Sequence, residues 1–356
     1  MLRTPGGTRC PAPRLSLPLP LLMNLVSIQA PAAVVMIRPH RFAPNPQTAA
    51  DNAFQRTAAA GGTSGVSAAA RDEVSAAAGK LADAGVRVHV FDDHGERDTP
   101  DSVFPNNWFS THPGGHVALY PMHCPNRRRE RRADIVEMLK AEYRVQDVID
   151  YSGLEYDDVF LEGTGAMVLD HVARIAYTAR SRRADPVALE RFCTHFNFEP
   201  ICFDTADADG RPIYHTNVMM SVATEFAMIG LDLIADGRRR DEIARRLAET
   251  GRTVIALDAA QIANFAGNTL ELSGRDGRVL ALSRRAFDCL TREQRATIER
   301  SARLLPLDVP TIELAGGSVR CMLAGIHLAR RSVAPDTRGR TVIASDDRQR
   351  EPAPHA

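Results

Sequence analysis

The sequence predicts an α/β fold assembled from repeated strand–strand–helix–strand (ββαβ) modules. Three observations carry this. Short β-branched or alternating apolar runs punctuate the chain, with helix-length stretches between them. The order strand, strand, helix, strand returns with a rhythm of about sixty residues, although no literal repeat is visible. At 356 residues, with 44% hydrophobic and 25% charged side chains, the chain is long enough to bury a substantial core. The rhythm alone is equally compatible with a layered α/β arrangement.

In chain order, the first strand is 33–37, β-branched and stopped near Pro39, whose ring removes a backbone donor. Residues 61–65 read as a glycine loop, 68–84 as an alanine-rich helix and 86–91 as an alternating strand. A polar loop over 92–98 leads through Phe104-Pro105-Asn106-Asn107-Trp108 to the Pro113-Gly114-Gly115 turn and a strand at 116–120. The basic run 127–132 opens a helix that reaches Tyr143. It has no interleaved aromatics, so it reads as a solvated helix start rather than a nucleic-acid platform. The second round is strands at 145–150, 159–163, 166–169 and 172–177, then a helix at 186–196. The third has strands at 212–215 and 218–222, a helix at 238–249 and a strand at 253–257. The fourth has strands at 269–272 and 279–282 and a helix at 292–302. A strand around Thr311 and the glycine-rich segment 316–328 complete the chain.

The termini differ in character. Arg3, Arg9 and Arg14 precede an apolar run at 15–25 that Pro18 and Pro20 interrupt, and Ala30-Pro31-Ala32 resembles a cleavage site. Residues 1–32 read as a disordered extension or a mis-assigned start ahead of Met23. Residues 33–331 read as one domain, and the polar 332–356 as a disordered tail. Lys plus Arg number 44 and Asp plus Glu number 44, so no global field favours nucleic acid or an anionic membrane. The six cysteines are widely spaced with no CxxC pair. That speaks against a disulfide scaffold or thiolate zinc site and for a reducing, cytoplasmic setting. A homo-oligomer is left open.

Four polar segments break strand-like runs beside glycine or asparagine: 101–107, 161–165, 214–217 and 316–323. Taken singly, each has a plain reading. Cys321 packs as a small hydrophobe, His215 is a satisfied core histidine and Glu162 is a strand-end carboxylate. Together, an acid before glycines, a histidine with a polar residue two places on, and a late cysteine form a set. It resembles the guanidine-modifying (pentein) superfamily, which includes arginine deiminase, dimethylarginine hydrolase and the amidinotransferases. Phe104-Pro105-Asn106-Asn107-Trp108, Leu161-Glu162-Gly163-Thr164-Gly165, His215-Thr216-Asn217 and Arg320-Cys321-Met322-Leu323 look most like its citrulline hydrolase branch, over about 34–331. The resemblance implies a five-bladed α/β propeller of ββαβ modules with the site on its axis. It also implies a catalytic set of Cys321, His215 and Glu162, and it calls for no cofactor and no metal.

The resemblance also directs attention to Asn107 and Asn217, where arginine-acting relatives carry aspartates. A guanidinium is cationic and offers only donors, so it suits two carboxylates; a ureido group is neutral and suits carboxamides. Citrulline is therefore the expected small-molecule substrate, with ornithine, ammonia and carbon dioxide as products. By the same resemblance Arg183 would bind the substrate carboxylate, although Ala184 replaces the usual threonine and surface charge is an alternative reading. Asp101 would hold the α-amino group, and Phe104 would pack on the aliphatic stem. The competing functions are arginine deiminase or dimethylarginine-type hydrolase, amidinotransferase, and a non-catalytic binding module.

Overall fold

The structure, a computed structural model, describes residues 29–56 and 63–331. The expectations for 1–28, for Gly61 and Gly62 and for 332–356 lie outside these residues. Among the described residues fifteen strands form five separate three-stranded sheets. The strands are β1 (Ala33–Pro39), β2 (Arg87–Asp93), β3 (Phe109–His112), β4 (His116–Leu119), β5 (Asp147–Asp150), β6 (Met167–Asp170), β7 (Ile175–Ala179) and β8 (Glu199–Phe203). They continue with β9 (Met220–Val222), β10 (Phe226–Ile229), β11 (Thr253–Ala256), β12 (Leu270–Gly274), β13 (Gly277–Ser283), β14 (Arg303–Leu307) and β15 (Ala324–Gly325).

Every sheet has one plan. Strands β3 and β4 pair antiparallel and β4 and β5 pair parallel, and the same order recurs in β6-β7-β8, β9-β10-β11 and β12-β13-β14. An antiparallel pair needs only a short turn, whereas a parallel pair needs a crossover, and a helix supplies it. The crossovers include Ala133–Glu142, Pro186–Phe196, Gly237–Ala248 and the pair Arg284–Cys289 and Arg292–Glu299. In the remaining sheet β1 and β2 pair parallel around helix Thr63–Asp83. Their antiparallel partner β15 arrives from the other end of the chain, with Val34 opposite Gly325 and Val35 opposite Ala324. The module rhythm read from the sequence is thus present, with one module split between the two ends of the domain.

Burial gives three of the sheets a direction. The first strands β3, β6 and β9 are buried throughout, while β2, β5 and β11 alternate partly exposed residues. The first strands therefore face the interior, and the turns leading into them meet there. Helix Pro186–Phe196 shows how local sequence sets an element. Asp185 accepts from the Val187 N–H at 2.7 Å, Pro186 occupies the first position, and Asn197 ends the helix in the left-handed region.

Several sequence expectations need correction. The segment 159–163 is not a strand, because Gly163 has φ +47° and starts a helical turn; only Leu161 keeps a bridge, to Ala184. Residues 212–215 form no strand, and Val218 belongs to a 3-10 turn. The strand expected around Thr311 is a 3-10 helix at Ile312–Ala315, capped where Glu73 accepts from the Thr311 and Ile312 N–H groups. The real strand lies earlier, at β14, where an edge position tolerates Pro306. Gly65 lies inside a helix rather than a loop. The helix expected over 127–143 is two, Pro125–Arg128 and Ala133–Glu142. Gln29, read as part of the extension, is buried: it donates to the Leu169 and Val222 carbonyls and accepts from the His171 N–H.

Candidate active site

A short turn precedes the first strand of every sheet, and the five turns are linked in chain order. They are Pro105–Asn107, Gly163–Ala166, Thr216–Val218, the turn ending at Asn268, and Val319–Met322. Thr164 donates to the Asn106 carbonyl at 3.1 Å, and Thr216 donates to the Ala166 carbonyl. Asn268 Nδ2 donates to the Asn217 carbonyl at 2.9 Å, and the Arg320 N–H donates to Asn268 Oδ1 at 3.0 Å. The last turn meets the first where Gly317 lies against the Phe104 ring; a Cβ there would be 2.8 Å from the ring carbons.

Each turn brings one residue to a matched place two or three positions before its strand: Asn107, Gly165, Asn217, Asn268 and Cys321. Four of these carry side chains that can hydrogen-bond. The fifth is a glycine of necessity, since a Cβ at Gly165 would collide with Asn107 Nδ2 and stand 2.8 Å from His215 Nδ1. The imidazole of His215 occupies the space that this glycine leaves.

Cys321 is 2% exposed, and two carboxamides hold its sulfur. Asn268 Nδ2 donates to Sγ at 3.2 Å and Asn217 Nδ2 at 3.4 Å. The orientation of Asn268 follows from its other bonds, because the Arg320 N–H fixes its oxygen and the Asn217 carbonyl its nitrogen. Asn107 Nδ2 is buried without a partner among the described residues.

Glu162 lies fully buried ahead of its helical turn, and its Oε2 takes His215 Nε2 at 2.8 Å. The His123 N–H donates to Oε1 at 3.0 Å, and the Arg183 and Arg127 guanidinium groups each approach Oε2 at 3.5 Å. Burial would raise this carboxyl, but Arg183, the His215 bond and Arg127 outweigh it and hold Glu162 well below the usual carboxylate range. Burial lowers His215 to about 4 against the pull of Glu162, so the imidazole is neutral near pH 7. An ionised Glu162 can only accept, which places the ring proton on Nε2 and leaves Nδ1 as the basic nitrogen.

Asp101, Phe104, Asn107, Arg183, His215 and Cys321 line one narrow cleft, with Glu162 beneath His215 and Asn217 beside the sulfur. The structure thus brings together all eight residues singled out in the sequence. Arg183 differs from expectation in its availability. Its Nε and Nη2 are both taken by Asp51, and its guanidinium lies 4.9 Å from the centre of the Tyr214 ring. Asp101 Oδ2 accepts from Asn45 at 2.9 Å while Oδ1 has no partner, and burial raises its pKa.

The sequence reading missed Asn268 and Arg127. Asn268 follows Gly267 and precedes a strand, the same signal that marked the other polar segments. Arg127, read as a solvated helix start, is 2% exposed. It makes two 2.9 Å hydrogen bonds to Glu130, stands 3.7 Å from Asp101 and lines the cleft. Burial with a fitted counter-charge is the physical reason for that correction.

Residues 38–328 match the family described as N,N dimethylarginine dimethylhydrolase, eukaryotic. The chain belongs to this family. It thereby falls within the pentein superfamily of guanidine-modifying enzymes, and its α/β fold is pentein-like. Among solved structures it is similar to the N-terminal domain of ArgZ, an arginine dihydrolase from the ornithine-ammonia cycle in cyanobacteria, in a mutant bound to substrate. The TM-score is 0.63 at 14% identity, covering 83% of this chain and 97% of that one. Unliganded AgrE gives 0.65 at 16% identity, covering 85% of this chain and 40% of that one. A dimethylarginine dimethylaminohydrolase variant in an adduct with S-methyl-L-thiocitrulline gives 0.54 at 12%, covering 84% and 99%. No protein of curated function matches the chain in sequence. Among the described residues no helix is long and apolar enough to cross a membrane.

Proposed function

We propose that the protein is a cysteine-dependent hydrolase of the ureido group of citrulline. The observation that carries this reading is the pair of carboxamides on Cys321 Sγ, Asn217 and Asn268, with a third, Asn107, unpartnered in the same cleft. A carboxamide complements a neutral ureido group, whereas a buried guanidinium in this place would lack counter-charge. The one carboxylate lining the cleft, Asp101, already faces Arg127.

In this reading neutral His215 takes the Cys321 thiol proton as the sulfur attacks the ureido carbon, which makes the imidazolium, and the asparagine amides stabilise the oxyanion that forms. Collapse breaks the bond to the terminal nitrogen, and the imidazolium of His215 protonates it as it leaves as ammonia. Neutral His215 then takes a proton from water, which attacks the S-carbamoyl carbon and releases the thiolate. The resulting carbamate loses carbon dioxide to give ornithine. Glu162 fixes the tautomer of His215 throughout. Asp101 offers its free oxygen to the α-amino group, and Phe104 packs on the substrate stem. Arg183 takes the carboxylate if Asp51 yields to it. Residues 33–331 act as one catalytic domain whose five sheets are the blades of a propeller, with the linked turns at its axis. A free thiol at Cys321 calls for a reducing compartment, in our reading the cytoplasm.

A second reading, hydrolysis of arginine or a methylated arginine, is favoured by the family match and by the unpartnered Asp101 oxygen. Product analysis separates the two. The purified protein is incubated with citrulline, arginine or dimethylarginine, and ammonia, dimethylamine, citrulline and ornithine are measured. Ornithine with ammonia from citrulline is expected. Citrulline formed from arginine or dimethylarginine, with citrulline itself untouched, would replace the first reading with the second.

A further inference from the structure

The residue before the nucleophile faces away from the cleft. Arg320 lines a separate recess between the first strands, together with Ser110, His171, Ser221, Thr269 and His327. Among all the residues lining this recess there is no aspartate or glutamate, and Arg320 is its single charged group at neutral pH. Its Nη1 donates to the Leu323 carbonyl at 3.0 Å, and among the described residues lining the recess no carboxylate answers the guanidinium. Arg320 is partly exposed at the recess, so its charge is shared between solvent and whatever the recess holds.

The histidines repeat the pattern. His171 and His327 stack with ring centres 4.0 Å apart, and both line the recess. His171 is only 5% exposed, yet its Nδ1 has no partner, and neither does Nε2 of His327. Burial lowers the pKa of each, His327 to about 4, so at neutral pH both rings are uncharged and can each donate one N–H. No group of three His, Cys, Asp or Glu side chains among the described residues is placed to hold a metal ion. The chemistry of the recess is one guanidinium, imidazole N–H donors and five hydroxyls, of which Ser110 also bonds His112 and Tyr120 and Ser221 also bonds Thr269. The cavity is about 40 Å³, against about 10–15 Å³ for one water by the same measure. That admits an ion of a few heavy atoms and excludes an amino acid.

We propose that this recess is a binding site for a small oxyanion, coordinated by Arg320 and hydrogen-bonded by His171, His327 and the hydroxyls of Ser110, Ser221 and Thr269. The same chemistry fits free inorganic phosphate and the bicarbonate that would form from released carbon dioxide. The second source rests on the proposed citrulline reaction; the site itself does not. Occupancy bears on the nucleophile through a short path. The Arg320 N–H donates to Asn268 Oδ1, and Asn268 Nδ2 holds Cys321 Sγ. An anion that fixes Arg320 also fixes the residue that orients the sulfur.

The test is thermal unfolding of the full chain at constant ionic strength, exchanging chloride stepwise for inorganic phosphate in one arm and bicarbonate in another. Expected is a saturable rise in Tm in at least one arm, and the arm that responds identifies the source. R320Q should weaken half-saturation about tenfold or more, the loss of one charge-assisted partner. Because Arg320 adjoins the nucleophile, S221V with T269V serves as a second variant that keeps the charge and removes hydroxyls, and it should also weaken half-saturation. A Tm that rises linearly without saturation, that does not rise, or that responds identically in wild type and both variants would overturn the site.

Discussion

Residues 320 and 321 sit side by side on one four-residue helix, yet they serve two regions with opposite electrostatics. In the cleft, charges are dense and answered. Arg183 faces Asp51, Arg127 faces Glu130, and Glu162 faces His215 with two guanidinium groups behind it. In the recess a single guanidinium has no carboxylate, and two histidine nitrogens have no partner. The difference teaches how each region spends its polarity. In the cleft the charged groups are largely paired with one another. The recess is open electrically, so an anion completes it.

The comparison can be broken most directly at the sulfur. C321A should lower turnover by at least about 10⁴-fold while the thermal transition moves by no more than a few degrees, because one small buried atom is removed. Ammonia release and circular dichroism check the two halves of that expectation. Next is E162Q, which keeps the shape but removes the charge and lets an amide NH2 group face His215, so the tautomer is no longer fixed. A loss of about 10³-fold in kcat is expected, with the fold retained, since Arg183 and Arg127 keep Asp51 and Glu130. G165A tests whether the empty place among the turns matters. Its methyl group displaces Asn107 and crowds His215 Nδ1, and a drop of about 10²-fold in kcat/KM should follow.

N268L should cost about 10²-fold as well, through a lost donor to the sulfur and to the developing oxyanion. The smallest effect is on pH. A buried histidine with its pKa lowered to about 4 works as a neutral base, and it is lost only when pH falls through that value. The acid limb of kcat/KM should therefore lie near pH 4 rather than near the ordinary histidine value of about 6.5. A limb at the ordinary value would show that His215 is not desolvated as the structure has it.

Much of this was legible in the sequence because periodicity and chain order are local records. The ββαβ rhythm survives in four sheets, and helix Pro186–Phe196 announces itself with Asp185 and Pro186. The order Glu162, His215, Cys321 marked residues that do share one cleft. What escaped was non-local or irregular. Strand β15 is two residues long and meaningful only beside β1, some 290 residues earlier by number, so no local pattern could reveal it. The cleft-side segments at 159–163 and 212–215 looked like strands because their apolar residues are buried, but the backbone there turns to deliver side chains. Arg183 seemed free because its partner Asp51 comes from a segment with no signal of its own. Arg127 was the avoidable miss. Glu130 stands three residues on, the spacing at which one helical turn can close an ion pair.

The pairing of β15 with β1 has a consequence for how the molecule comes into being. Cys321 lies three residues before the strand that closes the last open sheet. A growing chain therefore presents four complete sheets and an uncovered apolar edge at Val34 and Val35 until residues 324 and 325 emerge. Cys321 and the cover for that apolar edge arrive in the same moment of synthesis. A chain ending just upstream of Cys321 leaves Val34 and Val35 without their antiparallel partner, an edge open to pairing with other chains.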